Sequence, residues 1–373
     1  MKIGIPVKVL THKEIHGIGY YVYHLLEALL ALESPHEYQL MAPREPLHLP
    51  PNAKKNVVLS SPSFCFSYTG FPRAFRKQRC DLAFVPKEVV PFNIKKPVVI
   101  TVYDLHYLRC PQAEKKKSVR DQLTHSLHYR MAKRHFQRAD AILAISQHTK
   151  NELIELCGVP PEKITVTALA YDNTLFHPYA EAEIAAVKAK YGLHQPYFIN
   201  TSSVWWAKKN ILRLIEAFAN LRQRNSIPHQ LIIPGSRGDC YDAIVESIER
   251  KGLKEEIKLL EYVQKKDLAL LIAGAEALVF PSLHEGFGLV ILEAMACGCP
   301  VITSNVAAMP EVAADAALLV DPYNVDAIEQ AMAMMIYHPE LKKSLKQKGL
   351  ERARCFSWKS TAQETLKVFD SFL

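Results

Sequence analysis

The sequence predicts an α/β protein built from two doubly wound, parallel-sheet domains. Three observations carry that expectation. Short β-branched or apolar runs alternate with amphipathic stretches along the chain, as strands joined by crossover helices do. The runs form two series, parted by a polar, proline-flanked stretch between Ala170 and Tyr197, which reads as a domain join. A length of 373 residues, 49% hydrophobic and 23% charged, suits two or three globular domains with ample cores.

In the first series the runs Lys2–Val7, Tyr38–Met41, Val57–Leu59, Leu82–Val85, Val98–Val102, Ala141–Ala144 and Ile164–Thr167 read as strands. In the second, the runs are Tyr197–Thr201, Leu231–Ile233, Ile257–Leu259, Ala277–Val279, Val301–Thr303 and Ala317–Leu319. The stretches Tyr20–Leu32, Lys117–Gln137, Asn210–Arg222, Tyr241–Lys251 and Lys266–Ala273 read as helices. The domains are expected at 1–175 and 176–355. No short internal repeat or low-complexity tract interrupts them.

Composition narrows the function classes. Net charge is +8, and the excess lies in the first half: residues 1–178 hold 24 Lys+Arg against 15 Asp+Glu. A basic half suggests an acidic partner, such as a phospholipid surface, a phosphorylated acceptor or nucleic acid. Nucleic acid is disfavoured because no reader motif is present. The basic segments are Arg73–Arg79 and Lys115–Arg138; in the latter, Val119, Leu123, Leu127 and Met131 recur every four residues. The plain reading is a core-facing helix with a solvated face, and the sharper one is peripheral contact with anionic membrane. No stretch is long enough to span a bilayer. The N-terminal Met1–Val7 reads as an immediate strand rather than a signal peptide, so a cytoplasmic location is expected. The eight cysteines include no CxxC pair, so neither a zinc site nor a thioredoxin-type motif is expected. Cys297 and Cys299 read as small apolar residues around a helix-stop glycine.

The most informative stretch runs from His284 to Val301, HEGFGLVILEAMACGCPV. It follows a buried strand ending at Pro281, turns through Glu285-Gly286-Phe287-Gly288 and enters a helix stopped by Gly298 and Pro300. A glycine turn at a helix N-terminus presents backbone amides and the positive dipole end, a natural anion site. Glu285 precedes the helix and Glu293 lies about one turn inside it. Neither suits a phosphate; both can accept hydrogen bonds from hydroxyls. A ligand with phosphates in its middle and polyhydroxylated groups at its ends, a nucleotide sugar, would use all three features.

In Pro281-Ser282, Glu285-Gly286-Phe287-Gly288, Leu292-Glu293-Ala294-Met295-Ala296 and Gly298-x-Pro300-Val301 the sequence resembles the family 4 retaining glycosyltransferases (group 1), and the similarity spans nearly the whole chain. The resemblance implies the GT-B architecture, two Rossmann-like domains facing a cleft, with an acceptor-binding first domain and a donor-binding second. The tail from Phe356, FSWKSTAQETLKVFDSFL, resembles the family's terminal helix, which would place 356–373 back on the first domain. It also implies that Glu285 contacts the transferred sugar, that Glu293 holds ribose hydroxyls, and that Gly286, Phe287, Gly288 and Leu289 line the donor site. Val290 departs from the proline of many relatives.

Four further elements share the resemblance. Lys208-Lys209-Asn210 resembles an "RKN" element whose cations neutralise the donor diphosphate. Lys208 replaces arginine there, keeping the charge without the bidentate fork. With no D-x-D pair, two basic residues would stand in for a metal, so neither metal nor other cofactor is expected. Gly17-Ile18-Gly19-Tyr20 resembles the "GIGRY" loop facing diphosphate and acceptor, with Tyr20 in place of arginine. Tyr103-Asp104-Leu105 resembles "HDl" near the reacting sugar. Asp104 would be catalytic there or a turn cap, and Tyr103, in place of histidine, would position sugar or acceptor. Ser146 reads as a helix N-cap.

The implied activity is metal-independent, retaining transfer of a sugar from a nucleoside-diphosphate sugar to a glycan, lipid-linked or lipopolysaccharide-type acceptor. Glu285, Asp104 and Lys209 would be the catalytic residues. A nucleotide-sugar epimerase of similar architecture and a catalytically silent nucleotide-sugar-binding protein are the alternatives. An epimerase would convert the donor without any acceptor, and donor hydrolysis would exclude a silent protein.

Overall fold

The computed structural model describes residues 1–14, 17–60, 66–91, 93–109, 132–202 and 206–373. The chain divides into two compact units, Met1–Leu169 with Ser357–Leu373, and Ala170–Phe356. The basic helix expected over Lys117–Gln137 lies outside the described residues as far as 131; residues 132–138 are helical.

The first unit is a seven-stranded sheet of β1 (Lys2–Pro6), β2 (Glu37–Ala42), β3 (Val57–Leu59), β4 (Leu82–Val85), β5 (Val98–Val102), β6 (Ala141–Ala144) and β7 (Ile164–Val166). All neighbours are parallel, in the order β3-β2-β1-β4-β5-β6-β7. Alternate residues feed two cores. Ala83, Val85, Val98, Ile100, Val102 and Ile142 pack on one face, and Leu82, Phe84, Val99 and Leu143 on the other. A sheet covered on both faces explains why these strands read as continuous apolar runs.

The second unit is a six-stranded parallel sheet of β8 (Tyr197–Ile199), β9 (Gln230–Pro234), β10 (Ile257–Leu260), β11 (Ala277–Phe280), β12 (Val301–Ser304) and β13 (Leu318–Val320). Its order is β10-β9-β8-β11-β12-β13. The strands match the expected runs to within one or two residues at their ends. In each sheet the order reverses once, between β1 and β4 in the first unit and between β8 and β11 in the second. Ligands of open parallel sheets bind outside the carboxyl ends of the strands at such reversals.

The helix Ile211–Asn225 buries Ile211, Leu214, Ile215, Phe218 and Leu221 against the second sheet, the i, i+3, i+4, i+7 spacing of an amphipathic helix. The helix Gly70–Lys77 covers the first unit's core with Phe71, Ala74 and Phe75, while Arg73, Arg76 and Lys77 stay exposed. This part of the basic half takes the plain form, a core-facing helix with a solvated face. The last helix, Trp358–Asp370, belongs to the first unit. Thr361 Oγ1 donates to the Ala168 carbonyl at 2.6 Å, Asp370 pairs with His36 Nε2 at 2.9 Å, and fully buried Phe369 packs on Phe84. Among the described residues no helix is long and apolar enough to cross a membrane.

Candidate active site

In the second unit the loops leaving β8 and β11 run side by side, because buried polar groups staple them. The Lys208 carbonyl accepts the Leu283 amide at 2.8 Å and lies 2.9 Å from Ser282 Oγ. Asn210 bonds three ways: its Nδ2 donates to the carbonyls of Pro281 at 2.9 Å and Pro322 at 2.7 Å, and its Oδ1 accepts from Arg213 at 2.9 Å. Its backbone is left-handed, φ 60°, a conformation that asparagine tolerates better than most residues. From the strand ends, Thr303 donates to the Phe280 carbonyl and Ser304 to that of Ser282.

That scaffold presents an ion pair. Lys209 Nζ donates to Glu285 Oε1 at 2.6 Å, and each side chain is only 13% exposed. The ammonium also sits 5.1 Å from the Phe280 ring centre. Ser282 Oγ lies 2.7 Å from the same Glu285 oxygen, so its single hydrogen is shared between Glu285 and the Lys208 carbonyl. Burial by itself would raise the Glu285 carboxyl. The charges of Lys209 and Lys208, with the hydrogen bonds from Lys209 and Ser282, outweigh it and hold the group below the usual carboxylate range. Glu285 is therefore ionised at neutral pH.

Glu285 opens the turn into the helix Leu289–Ala296. Gly288, the residue before the helix, has φ 99°, which favours glycine, and a side chain there would also press on Ile291 Cδ1 at 3.0 Å. Of the helix's first-turn amides, that of Ile291 already donates to the Gly288 carbonyl at 2.9 Å, which leaves those of Leu289 and Val290 without an intrahelical acceptor. The Phe287 side chain is buried edge-on against Phe356. Leu289 is half-buried, and so is Glu293, one turn further on. Burial pushes the Glu293 carboxyl up to about 7, with Asp172 adding to the rise and Lys265 opposing it. Two glutamates on one short element thus differ in charge: Glu285 is held ionised by lysines, and Glu293 is poised to titrate.

In the first unit the elements nearest the reversal are the Gly17 turn, downstream of β1, and the segment leaving β4, with the segment leaving β5 one strand further along. Gly17 has φ 47° and ψ −108° and directly precedes the helix Ile18–Ala31, a backbone that only glycine adopts readily. The helix therefore starts two residues earlier than the apolar pattern suggested. Gly19 lies inside its first turn, buried, and is not part of a loop. Tyr20 is also buried, packed on His24 and Trp358; its aromatic ring serves the packing of the last helix rather than replacing a cation.

Tyr103 is likewise turned inward. Its hydroxyl donates to the Pro86 carbonyl at 3.0 Å and its ring meets Tyr21 edge-on. Burial, then the neighbouring Tyr21 and Glu88, raise its pKa well above that of a free phenol. Tyr103 thus spends its one hydroxyl hydrogen within the protein, where the sequence suggested donation to a sugar. Asp104 Oδ1 accepts the His106 amide at 2.7 Å, the turn-capping geometry. Ser146 caps the helix Gln147–Cys157 by accepting the Thr149 amide at 3.0 Å, as expected. Sequence reasoning missed Glu88. It lies three residues beyond β4, accepts the amides of Tyr103 and Asp104, and has Tyr107 hydroxyl near its other oxygen. Its one sequence signal is position, an acid just past a strand's carboxyl end.

Comparison with known proteins follows this geometry. Residues 185–352 match the family described as Glycosyl transferases group 1, and residues 15–173 match Glycosyltransferase Family 4. The chain is 33% identical to O-antigen chain mannosyltransferase B of Escherichia coli over 284 residues, 76% of this chain and 72% of that one. It is 28% identical to the MMP alpha-(1->4)-mannosyltransferase of Mycolicibacterium hassiacum, over 64% of this chain and 56% of the relative. With the serotype-specific mannosyltransferase WbdA of Escherichia coli it shares 29% identity, across 29% of that longer chain. Among solved structures, Anabaena HepE in complex with UDP and glucose superposes with a TM-score of 0.77 at 18% identity, covering all of both chains. Sucrose-phosphate synthase of Thermosynechococcus elongatus gives 0.76 at 19% identity, over 99% of this chain and 98% of that one. At such identities the likeness is one of fold.

Proposed function

Because the chain belongs to the family 4, group 1 glycosyltransferases, we propose that it transfers a hexosyl group, mannose in the first instance, from a nucleoside-diphosphate sugar to a glycan or lipid-linked acceptor. Transfer proceeds with retention and without a metal. The second unit binds the donor and the first binds the acceptor. The mannosyltransferase relatives suggest the sugar, and HepE with UDP supports a nucleotide in this fold.

The observation that carries the reading is the Lys209–Glu285 pair at the strand-order reversal of the second sheet, beside the Gly288 helix start. An ammonium has three donors, so the bond to Glu285 does not exhaust Lys209. A phosphate oxygen of the donor would take another, with Lys208 and the helix amides completing the anion site. As the bond from sugar to diphosphate breaks, negative charge grows on the diphosphate, where Lys208 and Lys209 stabilise it. Positive charge grows at the anomeric carbon, where the Glu285 carboxylate opposes it. The departing diphosphate takes the acceptor hydroxyl's proton on the face it leaves, so the new bond forms on that same face. Asp104 would orient sugar or acceptor from its turn. The basic first half would meet an anionic membrane or a phosphorylated acceptor.

Two tests arise here. Chelator should leave turnover within twofold of the untreated enzyme, because lysines do the work of a divalent ion. Loss of activity in EDTA, restored by manganese, would contradict that assignment. The second test concerns Glu293. A carboxylate accepting two ribose hydroxyls is wanted ionised, yet burial holds it near neutrality at pH 7. Affinity for a nucleotide sugar, whose diphosphate does not itself titrate in this range, should rise from pH 6 to pH 8. Glu293→Gln should flatten that dependence and weaken binding at pH 8 at least tenfold, since a hydrogen bond to a charged acceptor contributes roughly 1.5–3 kcal/mol. Isothermal calorimetry measures both. Equal affinity of variant and wild type would remove Glu293 from the ribose.

A further inference from the structure

We propose that Glu88 is a positioning residue for the transfer reaction, holding the Tyr103–Asp104 turn in its working shape through the backbone amides of those two residues. The proposal rests on the first unit serving the reaction, and it deepens that reading.

Glu88 follows β4 and the turn follows β5, two adjacent strands. Both lie at the carboxyl end of the sheet, and β4 borders the reversal against β1. A ligand of the first unit is expected there, alongside the Gly17 turn that leaves β1.

Glu88 Oε1 accepts the Tyr103 amide at 3.2 Å, the Asp104 amide also donates to this carboxyl, and Tyr107 hydroxyl stands 3.5 Å from Oε2. Tyr103 reaches back to Pro86, on Glu88's own segment, and its carbonyl lies 3.5 Å from Thr149 Oγ1. The next amides belong to the same turn, with His106 N bonded to Asp104 Oδ1. The β5 exit is therefore clamped from the β4 exit, and Glu88 is the charged member of that clamp. An ionised acceptor binds such amides about twice as strongly as a neutral one, so the clamp tightens when Glu88 loses its proton.

The proton balance falls in a useful range. Burial, aided by the negative Asp104, brings Glu88 up to about 7 against the pull of the Tyr103, Asp104 and Tyr107 hydrogen bonds. The groups facing it are Asp104, Tyr103, Tyr107 and the thiol of Cys157. Burial raises the last three further from neutrality; on Glu88's own segment the Val90 amide donates to His135 Nδ1 at 3.1 Å, and burial lowers the pKa of that imidazole. Tyr103 cannot titrate near pH 7, yet its own amide is bonded to a group that does.

The first test needs no variant. In amide-resolved NMR of the full-length protein, the Tyr103 and Asp104 resonances should move together with one midpoint near pH 7. They should stay fixed in Glu88→Gln. Resonances in the wild type that do not move across pH 5.5–8.5 would overturn the proposal. The second test is turnover of GDP-mannose or UDP-glucose at saturation. The wild-type kcat should rise through pH 7, whereas Glu88→Gln should be flat and about fivefold lower at pH 8. Nucleotide affinity should be equal in both. A Glu88→Gln enzyme keeping both the wild-type profile and rate would also overturn it. Absence of any nucleotide binding in the wild type would instead mark failure of the donor-site reading, leaving the NMR result to judge Glu88 alone.

Discussion

Lys209→Ala should lower turnover about 10²-fold or more, the usual effect of removing one electrostatic stabiliser from a preorganised site. Two effects combine in that variant and can be separated. The catalytic one would be loss of the cation proposed to face the departing diphosphate. The structural one is the stranding of Glu285, whose carboxylate is 13% exposed and bonded to that ammonium at 2.6 Å. Breaking a buried pair by removing one partner costs roughly 3–5 kcal/mol. The residual exposure, Lys208 and Ser282 put this case near the lower bound. Lys209→Ala should therefore also melt at lower temperature. The double variant Lys209→Ala/Glu285→Gln removes the stranded charge and should recover most of the melting temperature but none of the turnover. Steady-state kinetics and thermal melts of the two variants decide it. Turnover of the double variant equal to that of Glu285→Gln alone would make Lys209 a structural residue only.

Glu285→Gln should have the opposite signature. The amide keeps the shape of the carboxylate and can still accept a bond from Lys209, so the fold should persist. The negative charge proposed to lie beside the anomeric carbon is lost, and turnover should fall about 10²–10³-fold. Nucleoside-diphosphate affinity should stay within about threefold of wild type, because the anion contacts come from Lys208, Lys209 and the helix start. Calorimetry with the nucleoside diphosphate and turnover with the nucleotide sugar separate the two effects. A variant that loses nucleotide binding in proportion to turnover would show that Glu285 serves the structure of the anion site rather than the sugar.

Most of the scaffold was legible because both sheets are parallel and covered on two faces. Runs such as Val98–Val102 then have no polar alternation to obscure them, and their flanking turn residues bound them closely. The glycine turn at Glu285–Gly288 was legible for the same reason: a strand, a glycine turn and a helix in succession can do few things. Tertiary partners of polar side chains were not legible. Lys209 read as a free cation for a diphosphate, yet it is bonded to Glu285, 76 residues away in sequence. Tyr103 read as a donor to ligand, yet its hydroxyl is taken by Pro86. Nothing in the local pattern of Asn210 announced that it ties together the loops carrying Pro281 and Pro322. Glu88 went unnoticed because its significance comes from two amides on the neighbouring strand's exit, and strand adjacency appears only once the sheet order is known. The early start of the first long helix has a local cause: the positive φ of Gly17 supplies the helix start that the apolar spacing placed at Tyr20.

Retaining transfer from a nucleotide sugar, supported by protein cations alone, is the reading on which the proposed roles of Lys208, Lys209 and Glu285 depend. The most direct test is proton NMR of the product formed from α-linked GDP-mannose and a mannosyl acceptor in buffer containing EDTA. The account predicts a new α-anomeric signal on the acceptor, formed at an undiminished rate. A β-anomeric product, or no transfer until a divalent metal is restored, would contradict it.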